Sequence, residues 1–328
     1  MKQSLTRRHA VLAGLAMIAG ATLPALVHAQ DTWPSKPIRI IVPFTAGSGT
    51  DIIARSVGEK LSQSLGQPVI VENKPGAGGT VGASQVAKSP ADGYTLLVHS
   101  AGHAANAAIY GNLNYDTVND FVGISLLATL PNVLVVAPNT YKSVAELVNA
   151  AKAKPGSINY ASAGNGSATH MNAEKFRAGA KFDGTHVPYK GTPEAMSDTA
   201  SGRVDFFFAP MVSALPMIKD KRLVPLALGS AKRSDQLPDV PTTVEAGVPN
   251  SDFNFWVGML APAKTPPEVV QRLNSEVQKI LRMPDIKTRF STLGAEPQPM
   301  DSAQFNTFIK SEVTSLGNLV KNAGIKPN

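Results

Sequence analysis

The chain has 328 residues, enough for two domains with substantial hydrophobic cores. It contains no cysteine, which excludes disulfides, thiol catalysis and cysteine-ligated metals. The formal net charge is +7, but residues 1–29 hold three basic residues and no acid, and the remainder carries +4. Because its basic residues are scattered and its aromatic residues are few, we expect no nucleic-acid partner.

Residues 1–29 have the layout of a secretory signal peptide. A basic start is followed by an apolar stretch over about 11–26, and small residues precede a cleavage position after Ala29. We expect cleavage there and a periplasmic location, with an uncleaved anchor as the alternative. The pair Arg7-Arg8 leaves the Tat export route open beside the Sec route. No later segment reaches 18 apolar residues, so a soluble mature protein is expected.

The first element of the mature chain is a strand, a glycine turn and a helix. The apolar run 38–42 predicts the strand, and the small residues of 45–50 predict the turn. Apolar residues four apart then predict a helix over about 50–65. A helix that begins directly after a turn presents unpaired N–H groups and its positive dipole end, so it can hold a carboxylate without an arginine. A packing turn of any α/β protein is the alternative.

This pattern recurs in the second half of the chain. Strand 158–162 is followed by the small residues 163–167 and a helix over 168–178, and strand residues near Pro188 lead to a helix with Thr192 as its N-cap. The alternation of strands and helices predicts parallel sheets with covered faces. Ligands of such sheets bind at the carboxyl ends of strands, so these turns are expected to meet in one cleft.

The remaining patterns complete the prediction. A capping box at Ser143 and Glu146 predicts a helix start, and residues 230–252 are predicted to be mostly loop. Further strands are predicted at about 69–72, 94–98, 132–136, 204–208, 223–228 and 253–260. Further helices are predicted at about 80–88, 143–153, 265–282 and 302–322.

The candidate ligand-binding residues lie at the turns that follow the strands. They are Phe44, Thr45, Ala46, Gly47, Ser48, Gly49, Asp51, Ser100, Ser162, Ala163, Gly164, Asn165, Ser167, Tyr189, Lys190, Gly191, Thr192 and Phe208. Asp51 has the alternative of favouring its own helix dipole, and Lys190 that of a solvated cation. Phe44 and Phe208 have the alternative of core packing, while a capping role for the hydroxyls is compatible with binding.

Metal and enzyme chemistry have little support in the sequence. His99 and His103 are four residues apart and would share a face of a helix, but no H-E-x-x-H pattern accompanies them. No G-x-S-x-G elbow and no cysteine nucleophile is present. We therefore expect no metal, no cofactor and no catalytic residues, with a cleft enzyme as the alternative.

Six segments together resemble one family of bacterial receptors. They are Pro43-Phe44 with residues 47–51; Glu72-Asn73-Lys74-Pro75-Gly76-Ala77-Gly78-Gly79; residues 161–167 with His170; Val187-Pro188-Tyr189-Lys190-Gly191; Leu237-Pro238-Asp239-Val240-Pro241-Thr242; and Trp256 with Ala261-Pro262. The whole mature chain resembles the extracytoplasmic solute receptors of tripartite tricarboxylate transporters, the Bug or TctC family. One departure is the first turn, where that family usually has proline and paired glycines and this chain has residues 45–49, Thr-Ala-Gly-Ser-Gly.

The resemblance implies an α/β fold of the type II periplasmic-binding-protein kind, with two lobes and a ligand cleft between them. Lobe 1 would comprise residues 30–131 and 258–328, and lobe 2 residues 132–257. The ligand would be a small mono- or dicarboxylate, including an aromatic acid or an amino acid. A monomer that delivers this ligand to the membrane subunits of a tripartite tricarboxylate transporter is expected. A sensor that docks on a two-component kinase is the alternative.

Overall fold

The computed structural model describes residues 33–325. The chain divides into two compact units, residues 1–35 and 36–328. Residues 33–35 of the first unit are described and have no helix or strand. The signal-peptide prediction for residues 1–29 lies outside the described residues.

The strands of the second unit form two sheets. The first contains β1 (Ile38–Val42), β2 (Val69–Asn73), β3 (Thr95–Ser100), β4 (Phe121–Thr129), β10 (Trp256–Pro262) and β11 (Glu296–Pro297). The second contains β5 (Asn132–Val136), β6 (Ile158–Ser162), β7 (Gly184–Pro188), β8 (Phe206–Pro210) and β9 (Val224–Leu228). The strand orders are β11-β4-β10-β3-β1-β2 and β7-β6-β8-β5-β9. This is the expected α/β fold with two sheets, which we call lobe 1 and lobe 2.

Helices accompany both sheets. Lobe 1 has α1 (Gly49–Leu65), α2 (Thr80–Ala87), α3 (Gly102–Ile109), α8 (Pro267–Arg282), α9 (Pro284–Thr292) and α10 (Ser302–Asn322). Lobe 2 has α4 (Val144–Ala153), α5 (Ala168–Ala180), α6 (Thr192–Ala200) and α7 (Met211–Lys219). Helix α10 packs on α3 and β4 and also contacts α5 of lobe 2.

The sheets are mixed, so the prediction of parallel sheets holds only for part of each sheet. Strand β1 is parallel to β2 and β3, and β6 is parallel to β7 and β8. Strand β10 is antiparallel to β3 and β4, and β5 is antiparallel to β8 and β9. The chain changes sheets directly before β5 and β10, so each of these strands starts at the edge where the parallel strands end.

Two segments connect the lobes. Residues 130–131 join β4 to β5, and residues 229–255 join β9 to β10. The segments are held together because Leu130 N–H donates to the carbonyl of Phe255 at 3.0 Å. The chain enters the second sheet at Asn132, where β5 starts, and returns to the first sheet at Trp256, where β10 starts. The lobe boundaries at 131/132 and 257/258 themselves stay a prediction.

Local signals explain several helix ends. Gly66 ends α1 in a left-handed conformation, with φ 68°, and its N–H donates to Ser62 O at 3.1 Å. Ser143 caps α4, because its Oγ accepts from Glu146 N–H at 3.1 Å. The Glu146 carboxylate accepts from Lys142 N–H rather than from Ser143 N–H, so only half of the predicted capping box forms.

The core of lobe 2 fixes the strands that carry its turns. Phe206 and Phe208 are fully buried on one face of the sheet and pack edge-on against Phe176 of α5. Phe207 is buried on the other face, under α6 and α7. Each such side chain contributes about 1.5–3 kcal/mol of burial free energy, so the carboxyl ends of these strands are rigidly placed.

Candidate functional site

The turns after β1 and β6 meet in one cavity between the lobes. Its lining consists of Phe44, Ser48, Gly49, Thr50 and Ser100 from lobe 1, of Ala163, Ser167, Ala168, Thr169, Thr192 and Pro210 from lobe 2, and of Phe255 from the connecting segment. Seven of these are residues that the sequence predicted. The free space is about 10 Å³, which is room for about one water molecule. The lobes are therefore closed against each other.

Two helix N-termini face this cavity. Ser48, the N-cap residue of α1, has an extended backbone and makes no side-chain bond to its own helix. Gly49 and Thr50 therefore hold the first N–H groups of α1. On the other side, Ser167 Oγ accepts from His170 N–H at 3.2 Å, which leaves the N–H groups of Ala168 and Thr169.

These four N–H groups are the chemical centre of the site. Within residues 33–325, none of them has a hydrogen-bond acceptor in the protein. Helix N-termini normally leave such donors for a cap, water or ligand, and the two macrodipoles add positive potential at the same place. No charged side chain among the described residues lines the cavity. The arrangement therefore suits a small anion that is held by peptide groups.

The turns themselves use their N–H groups internally. In the first turn, Gly47 N–H donates to Asp51 Oδ2 (2.9 Å) and Ser48 N–H donates to Thr45 O (3.2 Å). In the second turn, the N–H groups of Ala163, Gly164 and Gly166 donate to Thr169 Oγ1 (2.9 Å), Ser162 Oγ (3.0 Å) and His170 Nδ1 (3.2 Å), respectively. The free donors are therefore the N–H groups of the first helical residues, as expected for helices that begin after a turn. Gly49 is one of them, whereas Gly47 and Gly164 are not.

Asp51 stabilises the first turn from behind. Its carboxylate accepts from Gly47 N–H at 2.9 Å and from Asn73 Nδ2 at 2.8 Å, and it pairs with Arg55 at 3.0 Å. Its residue is 2% exposed and does not line the cavity. The contacts of Asp51 thus support the alternative, a role within its own turn and helix, and not a contact with ligand.

The first turn is bound to lobe 2 by hydroxyl groups. The bonds are Thr192 N–H to Ser48 Oγ (3.2 Å), Thr45 Oγ1 to Glu194 Oε2 (3.1 Å) and Ser213 Oγ to Gly47 O (3.0 Å). Gly191, not Thr192, is the N-cap of α6, so the N-cap prediction for Thr192 is wrong. The Thr192 N–H, which as the first N–H of α6 has no acceptor within its own helix, donates to a hydroxyl from the other lobe.

A larger cavity of about 490 Å³ lies at the mouth of the cleft. It is lined by Gly76, Ala77, Gly78, Tyr110, Ala163, Gly164, Asn165, Pro188, Tyr189, Lys190 and Glu194. Ala163 lines both cavities, so they adjoin. Gly78 has a φ of 59° and a Cβ there would collide with the carbonyl of Asn165, so this close approach requires glycine.

Tyr189 and Lys190 lie at this mouth. The Tyr189 hydroxyl donates to Asp198 Oδ2 at 2.8 Å, so its proton is already used within lobe 2. Burial, followed by the bond to Asp198, raises the pKa of Tyr189 to about 12. Lys190 is exposed, which agrees with a solvated cation.

The other predicted site residues lie outside both cavities. Ala46 is exposed on the first turn, and Thr45, Gly47 and Gly191 form the contact between the lobes. Phe208 lies in the hydrophobic core of lobe 2 and does not reach the cleft, because Phe176 covers its ring. Ser162 lies beneath the second turn. The residues that sequence reasoning missed are Thr50, Ala168, Thr169, Pro210 and Phe255.

His99 and His103 do not share a helix face, although their spacing allowed it. His99 belongs to β3 and His103 to α3, with ring centroids 5.3 Å apart. His99 Nδ1 accepts from Ser100 N–H at 2.8 Å, so the proton of the neutral ring lies on Nε2. Burial keeps the pKa of both rings below its ordinary value, to about 4 for His103. Within residues 33–325, no group of three or more side chains suited to a metal ion is present.

Comparison with known proteins identifies the family. The model of the tripartite tricarboxylate transporter family receptor, TctC, matches residues 53–325. A UPF0065 protein from the tcbD-tcbE intergenic region of Pseudomonas sp. (strain P51) is 40% identical over 88% of this chain and 86% of its own length. Protein BugT of Bordetella pertussis is 35% identical over 98% and 99%. The chain belongs to the TctC family of periplasmic solute receptors, as the resemblance indicated.

Solved structures agree with this assignment. R. palustris Rpa4515 with adipate is 34% identical, with a TM-score of 0.87 over 90% of this chain and all of that one. The periplasmic binding protein BugD has 33% identity and a TM-score of 0.86, over 90% and 100%. MatC from Rhodopseudomonas palustris with bound malate has 31% identity and a TM-score of 0.84, over 88% and 100%. The predicted two-lobe fold is therefore confirmed. None of the described helices is long and apolar enough to span a bilayer.

Proposed function

We propose that the chain is a periplasmic receptor that holds a small carboxylate between the N-termini of α1 and α5. The observation that supports this most directly is the meeting of four unpaired N–H groups, those of Gly49, Thr50, Ala168 and Thr169, at one uncharged cavity. Hydrogen bonds to a charged group contribute about 1.5–3 kcal/mol each. Two or three of them, together with the helix dipoles, are enough for micromolar binding, about −8 kcal/mol.

The ligand body would extend towards the mouth of the cleft. The inner cavity has room for little more than a carboxylate oxygen, whereas the adjoining cavity is about 490 Å³. Lys190 and Glu194 at this mouth offer one charge of each sign. A dicarboxylate would place its second acid group near Lys190, and an amino acid its ammonium group near Glu194. The relatives with adipate and malate favour the dicarboxylate.

Binding would require the lobes to separate and close again about residues 130–131 and 253–255. The three hydroxyl-mediated bonds between the first turn and lobe 2 break in that motion. The closed form would then be the surface that the membrane subunits of a tripartite tricarboxylate transporter recognise, since closure is how such receptors report occupancy. No catalytic role is proposed for any residue.

The test uses Ala168→Pro, with Ala168→Val as its matched control. Proline is well tolerated at the first helical position, and Ser167 already has the φ of −62° and ψ of 157° that a residue before proline needs. Proline removes one N–H, while valine adds similar bulk and keeps it. We expect the proline variant to bind adipate or malate about 10–100-fold more weakly than the valine variant in calorimetric titration.

The same titrations test the proposal as a whole. A panel of mono-, di- and tricarboxylates, aromatic acids and amino acids is screened by thermal shift, where ligand at 100 times its Kd stabilises the protein by about 2.7 kcal/mol. We expect 1:1 binding and recovery of the ligand unchanged. Equal losses in the two Ala168 variants, or turnover of a bound acid, would contradict the proposal.

A further inference from the structure

Two stacked imidazoles lie beneath the second turn, residues 163–167. His170 of α5 and His186 of β7 have ring centroids 3.9 Å apart and planes inclined by only 13°. His170 is 4% exposed, and neither ring lines the cavity between the lobes. The pair is therefore not part of the proposed ligand contacts, yet it is in contact with the turn that carries them.

Each ring holds one amide of the turn. Gly166 N–H donates directly to His170 Nδ1 at 3.2 Å. Ser162 Oγ lies 2.6 Å from His186 Nε2 and accepts from Gly164 N–H at 3.0 Å. A nitrogen accepts a hydrogen bond only when it carries no proton, so the observed geometry needs an unprotonated His170 Nδ1.

The pair borders a third cavity, which has a volume of about 250 Å³. Its lining is Ile109, Tyr160, Asn165, His170, Glu174, Arg177, His186 and Ile325. This cavity gives solvent protons access to the rings. It also reaches Asn165, the middle residue of the turn.

The charged neighbours of the rings come from α5 and β6. Glu174 Oε1 lies 3.7 Å from His170 Nε2, Arg177 pairs with Glu174 at 2.8 Å, and the Tyr160 hydroxyl donates to Glu174. Burial, with a smaller effect of Arg177, lowers the pKa of His170 to about 4. Burial and the charge of His170 lower the pKa of His186 to about 3, against the opposing effect of Glu174.

We propose that His170 and His186, in their neutral forms, are positioning residues that hold the second turn so that the N–H groups of Ala168 and Thr169 face the ligand. This inference rests on the proposed function for its consequence, but the hydrogen bonds it assigns exist without ligand. When His170 gains a proton at Nδ1, the ring becomes a donor that faces the Gly166 N–H. The turn then loses that bond and its fixed geometry.

The first test needs no ligand and no variant. Nitrogen-15 NMR of the histidine rings is expected to show His170 with its proton on Nε2 and a bare Nδ1 at pH 7. The Gly166 amide is expected to exchange slowly with deuterium. A protonated Nδ1, or a Gly166 amide that exchanges as fast as an exposed one, would overturn the proposal whether or not any carboxylate binds.

The second test compares His170→Asn with His170→Leu. Asparagine offers an acceptor oxygen near the place of Nδ1, and leucine offers none. In the leucine variant, the exchange rate of the Gly166 amide and the Kd for adipate or malate are both expected to rise about tenfold or more. In the asparagine variant, both are expected to rise less than about threefold. His103→Leu, at a fully buried histidine of lobe 1, is the matched control and is expected to leave both unchanged.

Circular dichroism and urea unfolding serve to check that the variants are folded. Equal effects of asparagine and leucine would reject the assignment of Nδ1 as acceptor. If no acid in the panel binds even the wild type, the proposed function fails, while the exchange data still decide the positioning role.

The pH dependence separates positioning from simple packing. Because the pKa of His170 is lowered from its ordinary 6.5 to about 4, the wild-type turn keeps its bond above pH 6 and loses it as pH falls through about 4. His170→Asn has no ionisable ring there. The ratio of wild-type to asparagine-variant affinity is therefore expected to be constant above pH 6 and to fall below pH 5. Protonation of the ligand affects both proteins equally and cancels in the ratio. A constant ratio down to pH 4 would refute the role of the ring charge.

Discussion

The turns before α1 and α5 each lead into two free backbone N–H groups, but the two turns are stabilised by different chemistry. The first turn is held by the carboxylate of Asp51, which is itself paired with Arg55. The second turn is held by neutral groups, namely the hydroxyls of Ser162 and Thr169 and the ring of His170. A charged acceptor binds N–H groups more strongly than a neutral one. Lobe 1 therefore brings the more firmly fixed donors and lobe 2 the more adaptable ones.

The two N-cap serines differ in the same sense. Ser167 caps its own helix, with Oγ accepting from His170 N–H at 3.2 Å. Ser48 has almost the same backbone conformation, but its Oγ accepts from Thr192 N–H of lobe 2 instead. One hydroxyl thus stabilises a lobe and the other stabilises closure. Substitutions that affect one turn and not the other measure this difference.

The largest effect is expected from Asp51→Ala. It removes the acceptor of Gly47 N–H and Asn73 Nδ2 and the ion-pair partner of Arg55. We expect the free energy of unfolding to fall by about 2–4 kcal/mol in urea titrations. Asp51→Asn keeps one acceptor oxygen and should lose about half as much. If the alanine variant were as stable as the wild type, the carboxylate would not be what holds this turn.

A smaller effect is expected from Ser167→Ala. Loss of an N-cap hydroxyl costs about 1 kcal/mol, and the Thr169 hydroxyl at 3.0 Å loses one of its two partners and keeps Ala163 N–H. The midpoint of urea unfolding should shift while the slope of the transition stays constant. Ser167→Thr keeps a capping oxygen and serves as the control. A loss that threonine does not restore would mean that packing, not capping, is the contribution of Ser167.

The sequence was sufficient to predict where the two turns lie. The apolar runs 38–42 and 158–162, the glycines after them and the apolar spacing of the helices gave the elements to within one or two residues, and α10 was predicted with its observed bounds, 302–322. These features follow from interactions over three to four residues. They are therefore visible in a single chain without knowledge of the fold.

Which N–H groups of the turns and helix starts remain free could not be predicted in full, because their availability depends on side chains elsewhere. Gly47 and Gly164 carry the signal of an anion turn, but Asp51 and Ser162 already accept their N–H groups. Ala168 and Phe255 carry no chemical signal at all, since one contributes only its backbone and the other arrives from a long connecting segment. The direction of β5 and β10 likewise depends on where the chain changes sheets.

The smallest change in stability, but a clear change in conformation, is expected from Ser48→Ala. In the closed protein it leaves the buried Thr192 N–H without an acceptor, whereas in the open protein water replaces the hydroxyl. A hydrogen bond of about 1 kcal/mol then shifts the closing equilibrium about fivefold towards the open form, while α1 itself loses nothing.

Because the chain has no cysteine, spin labels at Lys88→Cys of lobe 1 and Ser201→Cys of lobe 2 report the distance between the lobes directly. Both positions are exposed. Thr45→Val is the control, since its bond to Glu194 is exposed and should shift the equilibrium less. Identical distance distributions in the wild type and Ser48→Ala would show that the hydroxyl of the first turn contributes nothing to closure, and the contrast between the two serines would then have no functional meaning.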